Sequence, residues 1–300
     1  MNPLVSVVII VRNMPDTIGD CLESLLDQTV PKDKYEIIVV DNNSTDNTRE
    51  IVRKYPVKLV SEEKVGNFGG ARNMGITNSK GEIVAFIDAD CIAEKDWIQK
   101  MLTLHSSFPR IAGHGGSNSN PYPENKVART IACAQNGDWS PDAPRRVADF
   151  LPGCNCSYRK EVLLQVGMFP EGTASEDILI GAKIRRTGQL LLFDPVLIVE
   201  HDFDRTLNKL AQKEERCGRG HFNMHSSYER ASRMRLLALT LFSPLFILGR
   251  SARGFQRIML YSKRKQDVFI LLPYILYSGV YWTKGYLTQA SVRGRERKLA

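Results

Sequence analysis

The chain has 300 residues, a formal charge of +8 and 43% hydrophobic residues. That length carries one large or two modest domains with a proper core, and the composition is ordinary for a soluble globular protein, which sets aside fibrous and disordered classes. The basic excess gathers from Arg205 onward and suggests an anionic partner, either nucleic acid or a membrane surface. Cysteines at 21, 91, 133, 154, 156 and 217 show no CxxC pair or His-Cys cluster of zinc spacing, so they read as free thiols of a reducing compartment. The N-terminus opens into a strand without the pattern of a secretory signal.

Val5–Val11 is a continuous β-branched run and reads as a buried strand. Pro15 suits a helix start, and Ile18, Leu22, Leu25 and Leu26 follow at helical spacing. Tyr35–Val40 is a second buried strand, ending in Asp41, Asn42, Asn43, Ser44, Thr45 and Asp46. Ser44 or Thr45 can cap a helix running to about Tyr55. Val57–Val60 gives a short third strand, and Lys64–Gly75, KVGNFGGARNMG, a glycine-rich turn into a helix. Ile83–Ile87 is an apolar run followed by Asp88 and Asp90 with one small residue between them. It reads as a buried parallel strand with two carboxylates at its carboxyl end, where open α/β sheets hold ligands. Carboxylates so close repel unless a cation sits between them, and oxygen ligands beside a phosphate suit Mg²⁺ or Mn²⁺. Standing alone, Asp-x-Asp more often marks a strand followed by an acidic turn.

After Ala93 a helix is expected to about Ser106, then a strand over Ile111–Ser117. Asn118–Pro152 is rich in Asn, Pro, Gly and charge, with one helix near Val127–Ala134; it reads as a mobile lid or acceptor-side insertion, or as an ordinary long connection. GCNCS, from Gly153 to Ser157, precedes a helix containing Val162, Leu163 and Val166. Ser175-Glu176-Asp177 opens a further helix that Gly188 stops, and LLLFDPVLIVEH reads as paired strand segments ending at His201. Strands alternating with helices predict a doubly wound α/β domain with a mostly parallel sheet and flanking helices. No GxGxxG in register and no GxxxxGK[ST] is found, which counts against NAD binding and P-loop hydrolysis.

In order, SVVIIVRN, VVDNNSTDNT, GNFGGARNMG, FIDADC, GCNCSYR, SEDILIGAKIRRTG and a histidine after the last strand resemble glycosyltransferase family 2, enzymes of the GT-A fold. The likeness runs from Val5 to His201. Asn42-Asn43 stands where the family more often has Asp-Gly, and Arg12 where an aliphatic residue or proline usually precedes Asn13. The resemblance implies a nucleotide-sugar donor, a divalent cation (Mg²⁺ or Mn²⁺) and transfer with inversion. The implied metal residues are Asp90 as primary ligand, Asp88 holding metal-bound water or the ribose, and His201 as third ligand. Asp41 accepts from the base edge or a ribose hydroxyl. Asn43, Asn67, Arg72 and Asn73 complete the donor side; for Arg72 and Asn73 the alternative is local hydrogen bonding that holds the loop. Direct displacement needs one carboxylate as base. Asp177 is the expected base, with Glu176 orienting the acceptor or capping the helix.

Arg216 and Arg219 stand one turn apart in KEERCGRGH. In related enzymes a basic motif closes over the diphosphate; the alternative is an exposed basic helix face. Leu236–Leu248 and Val268–Trp282 are apolar but short for spans, with basic residues between them. Tyr274, Tyr277, Tyr281 and Trp282 are expected at headgroup depth, so these helices read as lying in the cytoplasmic interface or forming a tilted hairpin; the alternative is core or dimer helices. The expected domains are a catalytic one over 1–228, with a nucleotide half to about 117 and an acceptor half beyond, and a membrane-associating helical region over 229–300. The expected activity is metal-dependent, inverting transfer of a hexose from a UDP- or GDP-sugar to a lipid-linked glycan or polyprenyl phosphate on an anionic membrane. A sugar-nucleotide pyrophosphorylase needs an N-terminal glycine-rich loop that Arg12–Thr17 lacks. A basic nucleic-acid binder is the rival of another class, and no nucleic-acid partner is expected.

Overall fold

A computed structural model of the chain describes residues 3–172, 175–223, 238, 241–242 and 245–299, with side chains described through 291. The expected boundary at 228 and parts of the Leu236–Leu248 segment lie outside the described residues. The chain packs as two compact units: Met1–Ser119, Ala143–Gly172 and Glu176–Asp202 form one, and Asn120–Asp142, Thr173–Ser175 and Phe203–Ala300 the other.

The first unit holds a single sheet. Its strands are β1 Val5–Val11, β2 Tyr35–Asp41, β3 Lys58–Ser61, β4 Ile83–Asp88, β5 Cys91–Ala93, β6 Ile111–Ser119, β7 Arg146–Ala148, β8 Asn155–Arg159 and β9 Leu190–His201. They lie in the order β3-β2-β1-β4-β8-β6-β9-β5, with β7 beside β9. The four strands from β3 to β4 are mutually parallel. Beyond them the sheet is mixed, because β8 enters antiparallel between β4 and β6, and β5 and β7 run antiparallel to β9. The expectation of a mostly parallel sheet is therefore corrected to a mixed one. Its source is β8, read from sequence as the approach to a helix. Asn155 and Ser157 are polar, yet both are fully buried and hydrogen-bonded.

Register places the site. Val11 pairs with Asp41 and Ile10 with Asp88, so the carboxyl ends of β1, β2 and β4 share one edge. Cys91 pairs with His201, which brings the end of β9 beside the Asp-x-Asp turn. The apolar faces of α1 (Ile18–Leu26) and α4 (Trp97–Ser107) pack with these strands in one core. Helix α2 is shorter than expected, Thr48–Val52, and its N-cap is Asn47. Ser44 instead accepts the Asn13 N–H at 3.0 Å. Helices α3 (Phe68–Asn78), α6 (Lys160–Gln165) and α7 (Glu176–Arg186) complete this unit. LLLFDPVLIVEH forms one strand, irregular in register against β6 near Gly115–Ser117, rather than paired segments.

The second unit is helical: α5 Lys126–Thr130, α8 Leu207–Asn223, α9 Leu245–Tyr261 and α10 Asp267–Leu299. Val127, Ala128 and Ile131 of the expected insertion pack with Phe203 and Leu210, so that stretch is not a free loop. Helices α8 and α10 approach until a Cβ on Gly218 would stand 2.0 Å from the Trp282 carbonyl oxygen, which leaves room only for glycine. Trp282 is buried and stacked on Tyr286, a correction to its expected place at headgroup depth. The indole is held by Phe246 and His221 as well. Among the described residues no helix is long and apolar enough to cross a membrane. Leu245, Leu248, Met259, Leu260, Phe269 and Leu276 are nevertheless exposed on α9 and α10.

Candidate active site

Asp41 ends β2 fully buried. Its Oδ2 accepts from the Ser44 backbone N–H at 3.1 Å and from Arg49 Nε at 2.5 Å, while its Oδ1 is buried with no partner. A buried carboxylate oxygen of this kind is an acceptor awaiting a donor. Asn13 and Asn43 adopt left-handed backbones, φ 52° and 57°, which asparagine tolerates better than most residues. Asn43 is half-buried beside Asp41. Asn42 is engaged elsewhere: it accepts from Gly66 N at 2.8 Å and donates to the Lys64 carbonyl at 3.1 Å, tying the glycine-rich turn to the end of β2.

The residues of that turn hold α3 against the segment 169–172. Asn67 caps α3, accepting from Gly70 N at 3.0 Å and from Gly172 N at 3.2 Å. Asn73 brackets Phe169, donating to its carbonyl and accepting from its N–H, both at 2.9 Å. Arg72 is buried, ion-paired with Glu176, with its guanidinium 5.8 Å and 5.5 Å from the Phe86 and Phe169 ring centres. Burial works against its charge, but Glu176, Asp88 and Asp177 outweigh it and raise its pKa. Arg72, Asn73 and Asn67 thus each bond to the segment that follows α6 or to the start of α7 and hold this loop. Glu176 serves as the counter-charge of Arg72 instead of a cap, because a buried guanidinium requires a paired carboxylate.

The acidic centre lies between β4 and β5. The Asp202 N–H donates to the Asp90 carbonyl at 2.9 Å, and His201 Nε2 stands 3.4 Å from Asp90 Oδ1. Ligand atoms of Asp88, Cys154 and His201 all lie within 4.8 Å of one another, as do those of Asp90, Cys91 and His201. Burial and the neighbouring Asp90 push the Asp88 carboxyl up, against the pull of Arg72 and His201. Neighbouring carboxylates, one of which has its charge disfavoured, beside an imidazole fit a divalent cation, which would relieve that repulsion. Asp88 and Asp90 thus each meet His201, in two separate sets of ligand atoms, the first with Cys154 and the second with Cys91. Cys91 and Cys154 were not foreseen there; Cys91 follows Asp90 directly and belongs to the next strand, while Cys154 is distant in sequence from Asp88 and His201.

Asp177 opens α7. Its Oδ1 accepts the Ile178 N–H at 2.8 Å. Burial and the Glu176 charge, partly offset by Arg72, push its carboxyl up to about 7. A carboxylate poised near neutrality is suited to take a proton at physiological pH. Arg216 and Arg219 belong to the helical unit, exposed on α8, where Arg219 pairs with Glu215 at 3.4 Å.

The family model described as Glycosyl transferase family 2 matches residues 6–167. The chain belongs to glycosyltransferase family 2. It is 32% identical over 248 residues to Glycosyltransferase AglE of Haloferax volcanii, covering 80% of this chain and 79% of that protein. It is 45% identical over 92 residues to Poly(ribitol-phosphate) beta-glucosyltransferase of Bacillus spizizenii, covering 29% of this chain and 14% of that protein. Among solved structures it is similar to mannosyltransferase PcManGT from Pyrobaculum calidifontis in complex with GDP-Man and Mn²⁺, with TM-score 0.61 and 19% identity over 98% of this chain and 87% of that one. It is also similar to S. aureus TarS 1–349 in complex with UDP-GlcNAc, with TM-score 0.51 and 17% identity over 99% of this chain and 92% of that one. At such identities the structures show the fold, an α/β GT-A arrangement with a mixed sheet and flanking helices. This family 2 glycosyltransferase brings the carboxyl ends of β1, β2 and β4 to one edge of its sheet, with the end of β9 beside the Asp-x-Asp turn.

Proposed function

We propose that the chain is a divalent-cation-dependent, inverting hexosyltransferase. It takes a UDP- or GDP-sugar and glycosylates a lipid-linked glycan or polyprenyl phosphate at the cytoplasmic face of a membrane. The observation that carries this reading is that Asp88 and Asp90 each meet His201, in a unit that also holds Asp177 with its carboxyl pushed up to about 7. Asp88, Asp90 and His201 would hold the cation. When bound, such an ion stabilises the charge that develops on a departing diphosphate. The unpartnered Oδ1 of Asp41 accepts an N–H of the base or a ribose hydroxyl. Asp177 takes the proton of the acceptor hydroxyl as that oxygen bonds to the anomeric carbon and the bond to the diphosphate breaks. Glu176 is neutralised by Arg72, so Asp177 acts without a second free carboxylate beside it. That favours a single displacement, hence inversion.

The neighbouring structures bound to GDP-Man with Mn²⁺ and to UDP-GlcNAc support the donor class and the cation. A lipid-linked acceptor is supported by the exposed apolar side chains of α9 and α10, which lie beside Arg253, Lys263 and Lys265. The test is a screen of UDP- and GDP-sugars for cleavage in the presence of Mn²⁺, with Asp177→Asn alongside. One donor turned over by the parent and not by the variant supports the reading. Absence of both binding and cleavage for every nucleotide sugar contradicts it.

A further inference from the structure

The cation site of this chain carries sulfur. Cys154 lies at the entry to β8, is half-buried, and forms no disulfide. Its Sγ, a carboxylate oxygen of Asp88 and a ring nitrogen of His201 lie within 4.8 Å of one another. Donors ~2.0–2.3 Å from a tetrahedral zinc ion stand roughly 3.5 Å apart, so modest side-chain rotation closes this set on one ion. All three residues are half-buried rather than sealed in the core. The amide nitrogen of Asn118 is 3.3 Å from the Cys154 sulfur, where an N–H donor steadies a thiolate ligand. Cys91 forms a second set with Asp90 and His201, but its side chain is 0% exposed within the core and its sulfur is 4.0 Å from Asp90 Oδ1. Cys154 is the reachable thiol.

Thiolate and imidazole favour Zn²⁺ over Mg²⁺ or Mn²⁺, whose preference is for oxygen. The geometry points to Asp88, Cys154 and His201 as a soft-cation site at which Zn²⁺ displaces the cation of transfer and arrests the enzyme. This rests on the reading that Asp88 and His201 hold the catalytic cation. As the sulfur–zinc bond forms, the thiol proton passes to solvent, and no oxidant or reductant is needed. A tetrahedral ion with three protein donors keeps one open position, whereas an octahedral Mg²⁺ keeps several. Zinc so held would offer a diphosphate one position, and a second oxygen only by expansion beyond its preferred tetrahedral geometry.

Co²⁺ tests this in the full chain, because it reports its ligands spectroscopically in the absence of any substrate. The expected result is a near-ultraviolet thiolate-to-cobalt band together with visible bands, both removed by Zn²⁺. Cys154→Ser should lose the thiolate band and require at least about tenfold more Zn²⁺ for inhibition, while Cys91→Ser keeps the band. An unchanged thermal midpoint confirms that each variant is folded. Visible bands that Mn²⁺ displaces, without a thiolate band in the parent, overturn the thiol assignment and leave the catalytic cation in place. A thiolate band that survives in Cys154→Ser overturns it equally. Failure of the parent to bind Co²⁺, Zn²⁺ or Mn²⁺ removes the cation reading and this inference together.

Discussion

Arg72 and Glu176, separated by 104 positions, form a buried ion pair that joins the first turn of α3 to the first turn of α7. The guanidinium lies against Phe86 and Phe169, so the pair is sealed by rings as well as by backbone. Removing one partner leaves a buried charge without its counter-ion, which costs roughly 3–5 kcal/mol. Glu176→Gln should lower the urea midpoint by a corresponding amount. It should also move the pH profile of any residual transfer to lower pH, because the Glu176 charge helps hold the Asp177 carboxyl up. An unchanged midpoint would show that the pair does not secure the two helices.

As the proposed base, Asp177 would act in its ionised form. With its carboxyl pushed up to about 7, transfer should rise with pH through that value and level off above it, as a base becomes deprotonated. Asp177→Asn should preserve nucleotide binding, measured calorimetrically, and reduce transfer by ~10²–10⁴. A phosphate acceptor is already ionised and would blunt this loss, so the size of the defect separates a sugar hydroxyl from a polyprenyl phosphate.

What was legible in the chain follows from burial. Strands β1 and β4 are covered on both faces and read as apolar runs, so their bounds match the expected ones at Val5–Val11 and at the end in Asp88. Strand β8 was hidden because its buried polar groups are satisfied by distant partners: Asn155 receives the Trp97 indole N–H at 3.0 Å and donates to Ser117 and Leu197 carbonyls. Asp88 and His201 were legible as strand ends, where the structure places them. Arg72 beside glycines at a helix start has the local look of a phosphate ligand, and only the long-range packing of Glu176, Phe86 and Phe169 reveals its enclosed role. Cys154 was invisible for the same reason, since its partners Asp88 and His201 meet it only across the sheet.

His105 and His114 pack edge to face at 4.6 Å within the sheet unit, both buried. Burial, with neighbouring cations, holds His105 down to about 3 and His114 down to about 4. The unfolded chain binds protons at these positions near pH 6.5, before the folded chain does, so stability is full above that pH and falls as pH drops toward the folded values. The loss between pH 7 and pH 5 should be on the order of 2 kcal/mol per histidine. Urea midpoints at the two pH values check this, and His114→Gln should remove about half of the drop. A midpoint that does not fall between pH 7 and pH 5 would contradict it.

The exposed apolar residues of α9 and α10 should seat on an anionic bilayer. The full chain is expected to float with anionic liposomes, more weakly at high salt because each nearby basic residue adds ~1 kcal/mol of screened attraction. Leu248→Glu with Met259→Glu should abolish flotation and transfer to a long-chain lipid acceptor while leaving nucleotide binding intact. A parent that stays off liposomes and sediments as a defined oligomer would assign this face to self-association.

The most direct test of the catalytic cation is the Mn²⁺ dependence of nucleoside diphosphate binding in the parent and in Asp90→Ala, measured by titration calorimetry. The account predicts tight, Mn²⁺-dependent binding to the parent that EDTA abolishes and added Mn²⁺ restores, with binding and turnover both lost in the variant. An Asp90→Ala protein that binds UDP or GDP as tightly as the parent with Mn²⁺ present, and still turns over a sugar nucleotide, would contradict it.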